Sequence, residues 1–219
     1  MGKNKLERFA ENLTFDNLFQ VGFEQLKNND FFLKGKWREE YFKNDNPIVL
    51  ELGCGKGEYT VGLGERYAER NFIGIDIKGA RLWRGCKTAF ENKMRNVAFL
   101  RCQIQMLEKL FDKDEVDEIW ITFCDPQLKN ENRRLTCPRF LERYAKVIKP
   151  DGILHLKTDS TELYEYTSEM LKQENHHIIF ESNDLYGTDF EDDVKEIQTF
   201  YEKMYLKEGK KIKYIKFQL

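Results

Sequence analysis

From residue 47 onward the chain alternates between short apolar segments and longer segments with helical periodicity. The apolar segments predict seven strands, at 48–52, 71–76, 97–102, 117–124, 153–157, 177–181 and 212–217. The segments between them predict helices at about 58–70, 79–93, 105–111, 136–148, 160–174 and 194–207. Strands that alternate with helices pair in parallel. The sequence therefore predicts the α/β class, with a doubly wound, mostly parallel, seven-stranded Rossmann-like sheet.

Residues 1–46 lack this alternation. Aromatic side chains are spread among polar residues there without the periodicity of an independent domain. An Asn-Asp-Asn-Pro turn at 44–47 then precedes the first apolar strand. We therefore expect an N-terminal arm at 1–46 that packs on a main domain at 47–219.

Composition removes several classes of protein. With 41% hydrophobic and 34% charged residues, the 219-residue chain belongs with globular proteins rather than disordered or fibrous ones. No apolar run reaches the roughly 20 residues that a membrane span needs, and no secretory leader is recognisable. The five cysteines form no Cys-x-x-Cys pair, so we expect reduced thiols in a cytoplasmic protein without a metal site.

Charge is unevenly distributed, although the formal net charge is only −2. Residues 125–149 carry seven basic and three acidic side chains, and residues 203–219 carry six lysines and one glutamate. Between them, residues 159–202 carry thirteen acids and two lysines. The two basic segments are compatible with a cationic face for nucleic acid, and equally with ordinary solvated helix surfaces.

A glycine-rich turn, Glu-Leu-Gly-Cys-Gly-Lys-Gly at 51–57, joins the first predicted strand to the first predicted helix. The three glycines, Gly53, Gly55 and Gly57, allow a sharp turn and a ligand that approaches the backbone without meeting a Cβ atom. The dinucleotide fingerprint needs glycine at its sixth position, where this chain has Glu58. NAD and FAD are therefore disfavoured, and the absence of Gly-Lys-Ser/Thr excludes a phosphate-binding P-loop.

A turn of this kind suits a ligand that has an amino-acid end and no phosphate. Asp76 ends the second predicted strand, where doubly wound sheets hold a ribose, and a carboxylate accepts two hydroxyl donors at once. Gln103 follows the third predicted strand, where its side-chain carbonyl is a candidate acceptor for an adenine amino group. Together these residues suggest S-adenosylmethionine, and the alternative is a tight turn without a ligand.

Acidic side chains recur at the ends of later predicted elements. Asp125 leaves the fourth strand in Thr-Phe-Cys-Asp-Pro, Asp159 follows the fifth in Lys-Thr-Asp, and Glu202 ends Thr-Phe-Tyr-Glu. Because ligands bind at the carboxyl ends of parallel strands, their shared location favours a site. Each acid alone also fits a structural role, Asp159 as a helix N-cap and Glu202 as a helix surface charge. The Asp-Pro-Gln-Leu sequence lacks the stacking ring of amino-group methyltransferases, and no thiol follows a proline as in the cytosine-C5 class.

The series of motifs resembles one family, the bacterial tRNA guanine-N7 methyltransferases. The resemblance covers residues 47–219. It rests on the glycine turn, Ile-Gly-Ile-Asp at 73–76, Phe-Cys-Asp-Pro at 123–126, Arg-Arg-Leu at 133–135, Lys-Thr-Asp at 157–159 and Thr-Phe-Tyr-Glu at 199–202, in that order. Gly-Lys-Trp at 35–37 is also similar to the family. The resemblance implies a class I S-adenosylmethionine-dependent methyltransferase that modifies N7 of a guanosine in the variable loop of tRNA.

The resemblance also implies roles for individual residues. The catalytic aspartate falls on Asp125. The cofactor-binding positions fall on Glu51, Gly53, Gly55, Gly57, Asp76, Gln103 and Asp125. The substrate-binding positions fall on Lys129, on Asp159 and on the segment 199–202 with Thr199, Tyr201 and Glu202. We also expect Lys129, Arg133 and Arg134 to bind substrate by contacting phosphates, and Asp159 and Glu202 to support Asp125 in holding the guanine edge.

Two positions depart from the family, since Gln103 replaces an Asp or Asn and Gln127 replaces a tryptophan. Methyl transfer to another RNA position, methyl transfer to a small molecule, and RNA binding without catalysis on a methyltransferase scaffold are therefore alternatives. We expect tRNA as a partner, no membrane association, and either a monomer or a homodimer.

Overall fold

The computed structural model describes residues 3–190 and 193–219. Within them, eight strands form one sheet in the order β1-β4-β3-β2-β5-β6-β8-β7. The strands are β1 (Leu18–Gln20), β2 (Ile48–Leu52), β3 (Asn71–Asp76), β4 (Val97–Arg101), β5 (Val116–Thr122), β6 (Ile148–Thr158), β7 (His177–Ser182) and β8 (Lys213–Gln218). Neighbours pair in parallel from β1 to β6, whereas β8 runs antiparallel to both β6 and β7. The predicted α/β class with a mostly parallel sheet is confirmed.

The predicted count of seven strands is one short, because the arm contributes β1. Leu18 pairs with Phe99 and Gln20 with Arg101, in parallel, at the edge of the sheet. A strand of three residues is too short to show a period of two in the sequence. The position of β1 is therefore set by its pairing with β4 and not by a pattern in its own sequence.

Helices cover both faces of the sheet. They are α1 (Lys3–Glu11), α2 (Phe23–Asn28), α3 (Glu58–Arg66), α4 (Gly79–Glu91), α5 (Leu107–Leu110), α6 (Pro138–Tyr144), α7 (Thr161–Gln173) and α8 (Phe200–Lys207). Successive strand residues point to opposite faces, so Leu50 joins the core cluster that contains α5, α6 and α7. Val49 joins the second cluster, which contains α3 and α4.

Several helices are shorter than the sequence predicts. The largest shift of a single helix end is at α8, which begins at Phe200 and not at 194. Thr199 caps it: the Thr199 side chain accepts a hydrogen bond from the Glu202 N–H at 3.2 Å. Residues before the cap form only a single 3₁₀ turn at Asp193–Lys195. A threonine N-cap within a stretch of helical periodicity sets the start of the helix, and the residues before it do not continue the helix.

The arm packs closely on the rest of the chain. Trp37 is fully buried, and its indole N–H donates to the Leu110 carbonyl at 3.0 Å. On the other side, Glu11 accepts hydrogen bonds from Trp83 at 2.5 Å and Lys87 at 2.7 Å, which join α1 to α4. A domain boundary at residue 46 stays a prediction.

No helix within the described residues is long and apolar enough to cross a membrane.

Candidate active site

The glycine turn connects β2 to α3 through three left-handed glycines, with φ of 75° at Gly53, 57° at Gly55 and 68° at Gly57. A Cβ atom on Gly55 would meet nothing within 4 Å, and one on Gly53 would meet only Leu135 at 3.8 Å. Both residues therefore leave the backbone open. Gly57 differs, because a Cβ atom there would lie 2.5 Å from the Phe99 ring. Glycine at position 57 is therefore required by core packing, and its role in cofactor binding stays a prediction.

Glu51 lies beneath this turn and not on a cleft wall. Its side chain accepts hydrogen bonds from the Thr122 hydroxyl at 2.6 Å, from the Thr60 N–H at 2.8 Å, and from the Thr60 hydroxyl. Burial raises the pKa of Glu51 to about 7, although these hydrogen bonds favour the charged form. Both oxygens are engaged, so Glu51 supports the turn from below.

Asp76 lies on the wall of the cleft at the end of β3. One carboxylate oxygen accepts the Gly55 N–H at 2.9 Å, and the other accepts the Lys78 N–H at 2.7 Å. Each oxygen keeps a lone pair for a further donor. The carboxylate thus joins the glycine turn to the loop after β3 and can still accept hydroxyl groups.

A cleft of about 500 Å³ opens above these loops at the carboxyl ends of the strands. Five of the predicted site residues line it, namely Gly53, Asp76, Gln103, Asp125 and Arg133. Sequence motifs do not indicate as site residues the other lining side chains, which include Ile77, Arg81, Phe123, Gln127 and Leu135. Phe123 carries a usable signal, since it follows a buried strand at the edge where ligands bind.

Asp125 is held at the end of β5 by an unusual backbone. Phe123 and Gln127 both adopt left-handed conformations, with φ of 48° and 49°, although neither is glycine. Such conformations in bulky residues cluster at functional sites because the surrounding structure must enforce them. The Gln127 N–H donates to Asp125 Oδ1 at 3.0 Å, and the Phe123 N–H donates to the Lys157 carbonyl at 2.8 Å. The tip of β5 thereby presents an exposed carboxylate to the cleft.

Asp159 lies on the neighbouring strand end. The register of β5 and β6 pairs Thr122 with Lys157, so Asp125 and Asp159 leave the same edge of the sheet. Burial raises the pKa of the Cys124 thiol to about 12, with contributions from both carboxylates. The N-cap of α7 is Ser160, whose hydroxyl accepts the Leu163 N–H, so the alternative of Asp159 as a cap is wrong.

Glu202 does not reach the cleft. It is fully buried and pairs with Lys157, whose Nζ lies 2.7 Å from Glu202 Oε1. The Tyr186 hydroxyl donates to the same oxygen at 2.8 Å. Burial raises the pKa of Glu202 and lowers the pKa of Lys157, and each charge partly offsets the effect on its partner. The expected contact of Glu202 with a guanine edge and its alternative as a surface charge are both corrected to a buried ion pair.

The two neighbouring arginines have different environments. Arg133 is exposed and lines the cleft. Arg134 is buried, and its guanidinium donates to the Pro126 carbonyl at 3.1 Å and lies 4.3 Å from the centre of the Tyr166 ring. It also pairs with Glu131. The expected phosphate contact of Arg134 is therefore corrected to a structural role in holding the loop after β5.

The remaining predicted substrate positions do not line the cleft. Lys129 is exposed on the loop after β5, and Tyr201 is exposed on the first turn of α8. Thr199 is buried as the cap of that helix. Across residues 3–190 and 193–219, no group of three or more metal-ligating side chains is placed to hold a metal ion. The five cysteines are free thiols.

Comparison with known proteins is consistent with this architecture. The family described as "Putative methyltransferase" matches residues 45–215. A tRNA (guanine-N(7)-)-methyltransferase of Christiangramia forsetii is 55% identical, with 99% of this chain and 98% of the relative covered. Its counterpart in Bacteroides thetaiotaomicron is 50% identical, with 100% of this chain and 87% of the relative covered.

Solved structures agree in fold. The 16S rRNA methyltransferase KamB has a TM-score of 0.63 at 12% identity, with 91% of this chain and 94% of that chain covered. A SAM-dependent methyltransferase from Aquifex aeolicus has a TM-score of 0.54 at 14% identity, with 90% and 98% covered. The parallel sheet, the open glycine turn and the carboxylates at its carboxyl edge define an α/β methyltransferase. At 50–55% identity over its full length to curated members, the chain belongs to the tRNA (guanine-N(7)-)-methyltransferase family.

Proposed function

We propose that this protein transfers a methyl group from S-adenosylmethionine to N7 of a guanine in tRNA. The observation that carries the proposal is the position of Asp125. Its exposed carboxylate lines the same cleft of about 500 Å³ as Gly53 and Asp76. A methyl donor on the glycine turn and a base beside Asp125 would therefore share one space.

The residues of the cleft fit S-adenosylmethionine. Gly53 and Gly55 leave the backbone open where a side chain would obstruct a ligand. Asp76 has free lone pairs for a ribose diol, and Gln103 offers both a donor and an acceptor for an adenine edge. When bound, this cofactor supplies a methyl group on a positively charged sulfonium.

Methyl transfer to guanine N7 requires the two reactants to be positioned, and it requires no proton transfer. Guanine N7 carries a lone pair and no proton, so its attack needs no general base. Positive charge develops on the imidazole ring of the base as the new bond forms. A carboxylate held beside the ring stabilises that charge without reorganising, and Asp125 is held in this way by the Gln127 N–H at 3.0 Å.

The recognition of guanine suits a second carboxylate. The N1–H and the N2 amino group of guanine, on the edge opposite N7, donate two parallel hydrogen bonds that one carboxylate accepts. Asp159 follows the adjacent strand end and is the candidate acceptor, while Asp125 stands beside the imidazole ring. Exposed Arg133 and Lys129 are suited to phosphates on the approaching RNA. Together they would select a purine that has been exposed from the folded RNA.

The direct test uses labelled methyl donor and two tRNA transcripts, one with guanosine and one with 7-deazaguanosine throughout. We expect 7-methylguanosine as the labelled nucleoside from the first transcript and no label in the second. The deaza base keeps its Watson–Crick edge and lacks only N7, so binding of the second transcript is the internal control. Label on another atom, or label in the 7-deaza transcript, would contradict the proposal.

A further inference from the structure

The segment that precedes α8 lies against α3 from its middle to its end. We call residues 194–199 the strap. Near the end of α3, Arg66 forms an ion pair with Glu196. In its middle, a Cβ atom on Gly62 would lie only 2.8 Å from Ile197 Cγ2, so the Ile197 side chain packs directly against the helix backbone. The strap is thus packed on the helix that begins at the glycine turn.

The sheet also holds the strap. The Lys157 ammonium donates to the Val194 carbonyl and, at 3.3 Å, to the Ile197 carbonyl. The same ammonium pairs with buried Glu202 on the first turn of α8. One buried cation on β6 therefore holds both the strap and the start of α8.

At the other end, the start of α8 meets the start of α3. The Phe200 N–H donates to Glu58 Oε2 at 3.0 Å. Lys56 Nζ lies 4.6 Å from the centre of the Phe200 ring. Residues on both sides of Gly57 thus contact a single residue of the segment 199–202.

The contact has a clear electrostatic reason. Phe200 is the first residue of α8, and N–H groups in the first turn of a helix have no partner within the helix. A carboxylate beside such a terminus is favoured by the helix dipole. Glu58 is the first residue of α3, directly after Gly57. One carboxylate therefore connects the amino ends of two helices.

We propose that Glu58 is a positioning residue that couples the glycine turn to the segment 199–202, so that the methyl donor and tRNA bind cooperatively. The inference rests on the proposed function. Gly53 and Gly55 carry no Cβ atom and face open space, so a ligand that lies on them would fix their conformation. Because Glu58 follows the turn directly, fixing the turn also fixes the acceptor for α8, whose exposed Tyr201 is the predicted tRNA contact. Linkage then requires RNA to strengthen donor binding by the same factor.

The test measures that factor with the unreactive product S-adenosylhomocysteine. Its dissociation constant is determined by calorimetry with and without tRNA. We expect tRNA to tighten binding about fivefold or more in the wild-type protein, and less than about twofold in Glu58→Ala. Glu58→Gln, whose amide oxygen still accepts the N–H, should keep most of the coupling. Glu65→Ala, which changes an exposed acid on the same helix, is the matched control.

A second pair of variants tests the donor. Phe200→Pro removes the N–H at a helix position that tolerates proline, and Thr199 has the extended backbone, with ψ of 163°, that a residue before proline requires. Phe200→Ala removes the ring and keeps the N–H. We expect the proline variant to lose the coupling and the alanine variant to retain it.

The two proposals fail in different ways. Absence of coupling in a wild-type protein that makes 7-methylguanosine, or equal coupling in Glu58→Ala and wild type, overturns this inference and leaves the activity intact. A wild-type protein that binds S-adenosylhomocysteine but neither binds nor methylates tRNA overturns both. Lower affinity for S-adenosylhomocysteine alone, with the coupling factor unchanged, assigns Glu58 a merely structural role.

Discussion

We call the half of the sheet around β2 and β3, which carries the glycine turn, the cofactor side, and the half around β5 and β6, together with α8, the substrate side. Each side buries a glutamate, and the two glutamates are stabilised differently. On the cofactor side, Glu51 of β2 is held by the hydroxyls of Thr60 and Thr122 and by a backbone N–H. On the substrate side, Glu202 of α8 is held by the Lys157 ammonium and a tyrosine hydroxyl. Burial raises the pKa of Glu51 to about 7 and the neutral donors offset only part of that effect, so the charge of Glu51 depends on pH. The cation on the substrate side instead ties a distant segment of the chain to the sheet.

The largest expected effect separates the two sides by function. We expect Asp125→Asn to lower methyl transfer by about 10³-fold, because it removes the charge beside the developing cation. Binding of S-adenosylhomocysteine should change less than about threefold, since Asp76 and the glycine turn are untouched. Single-turnover rates and calorimetry measure the two quantities. Glu142→Gln, at an exposed acid on α6, is the control, and full turnover in Asp125→Asn would exclude Asp125 from the mechanism.

The next effect concerns the buried ion pair. Lys157→Met leaves Glu202 buried without its cation, and we expect it to lower the free energy of unfolding by about 3–5 kcal/mol. The double variant Lys157→Met/Glu202→Leu should recover only part of that loss, because it removes the unpaired charge but does not restore the hydrogen bond to the Ile197 carbonyl. Urea unfolding measures both. Glu40→Gln at the exposed Lys36–Glu40 pair should cost less than about 1 kcal/mol. Equal losses at the two pairs would show that burial does not distinguish them.

The glutamate on the cofactor side should reveal itself through pH. The pKa of Glu51 is raised from 4.5 to about 7 in the folded protein, so the folded state binds more protons than the unfolded state between these values. Wild-type stability contributed by this group is therefore lost as pH rises through that range. Relative to wild type, Glu51→Gln should gain about 3 kcal/mol between pH 4.5 and pH 7.5. Urea unfolding at several pH values measures the gain, and a difference independent of pH would contradict the shift.

The smallest effect compares two adjacent arginines on the substrate side. Arg133→Gln should weaken tRNA binding several-fold and reduce the slope of log affinity against log salt by about 1. Arg134→Gln should instead lower thermal stability, because the buried guanidinium holds the Pro126 carbonyl. Filter binding across a salt series and thermal unfolding separate these outcomes. If only Arg134→Gln reduced the slope of log affinity against log salt, Arg134 and not Arg133 would be the phosphate contact.

Local sequence patterns predict the cofactor side better than the substrate side. The glycine turn, Asp76 and Gln103 occupy one continuous run of βαβ units, so spacing alone places them together. Glu202 is 45 residues from its partner Lys157. Its burial depends on the packing of the strap and α8 against β6. Residue type cannot distinguish Arg133 from Arg134, because the difference comes from the ring of Tyr166 on α7. Tertiary contacts of this kind leave no periodic signal.

The strand that the arm adds has a consequence for the stability of the sheet edge. β4 is almost entirely buried, and β1 supplies the hydrogen-bonding partners along its outer side. Removal of the first 22 residues would leave a hydrophobic strand with unsatisfied amide and carbonyl groups facing solvent. Unprotected edges of this type pair with other chains. The arm therefore covers a sheet edge that would otherwise be open to pairing with other chains.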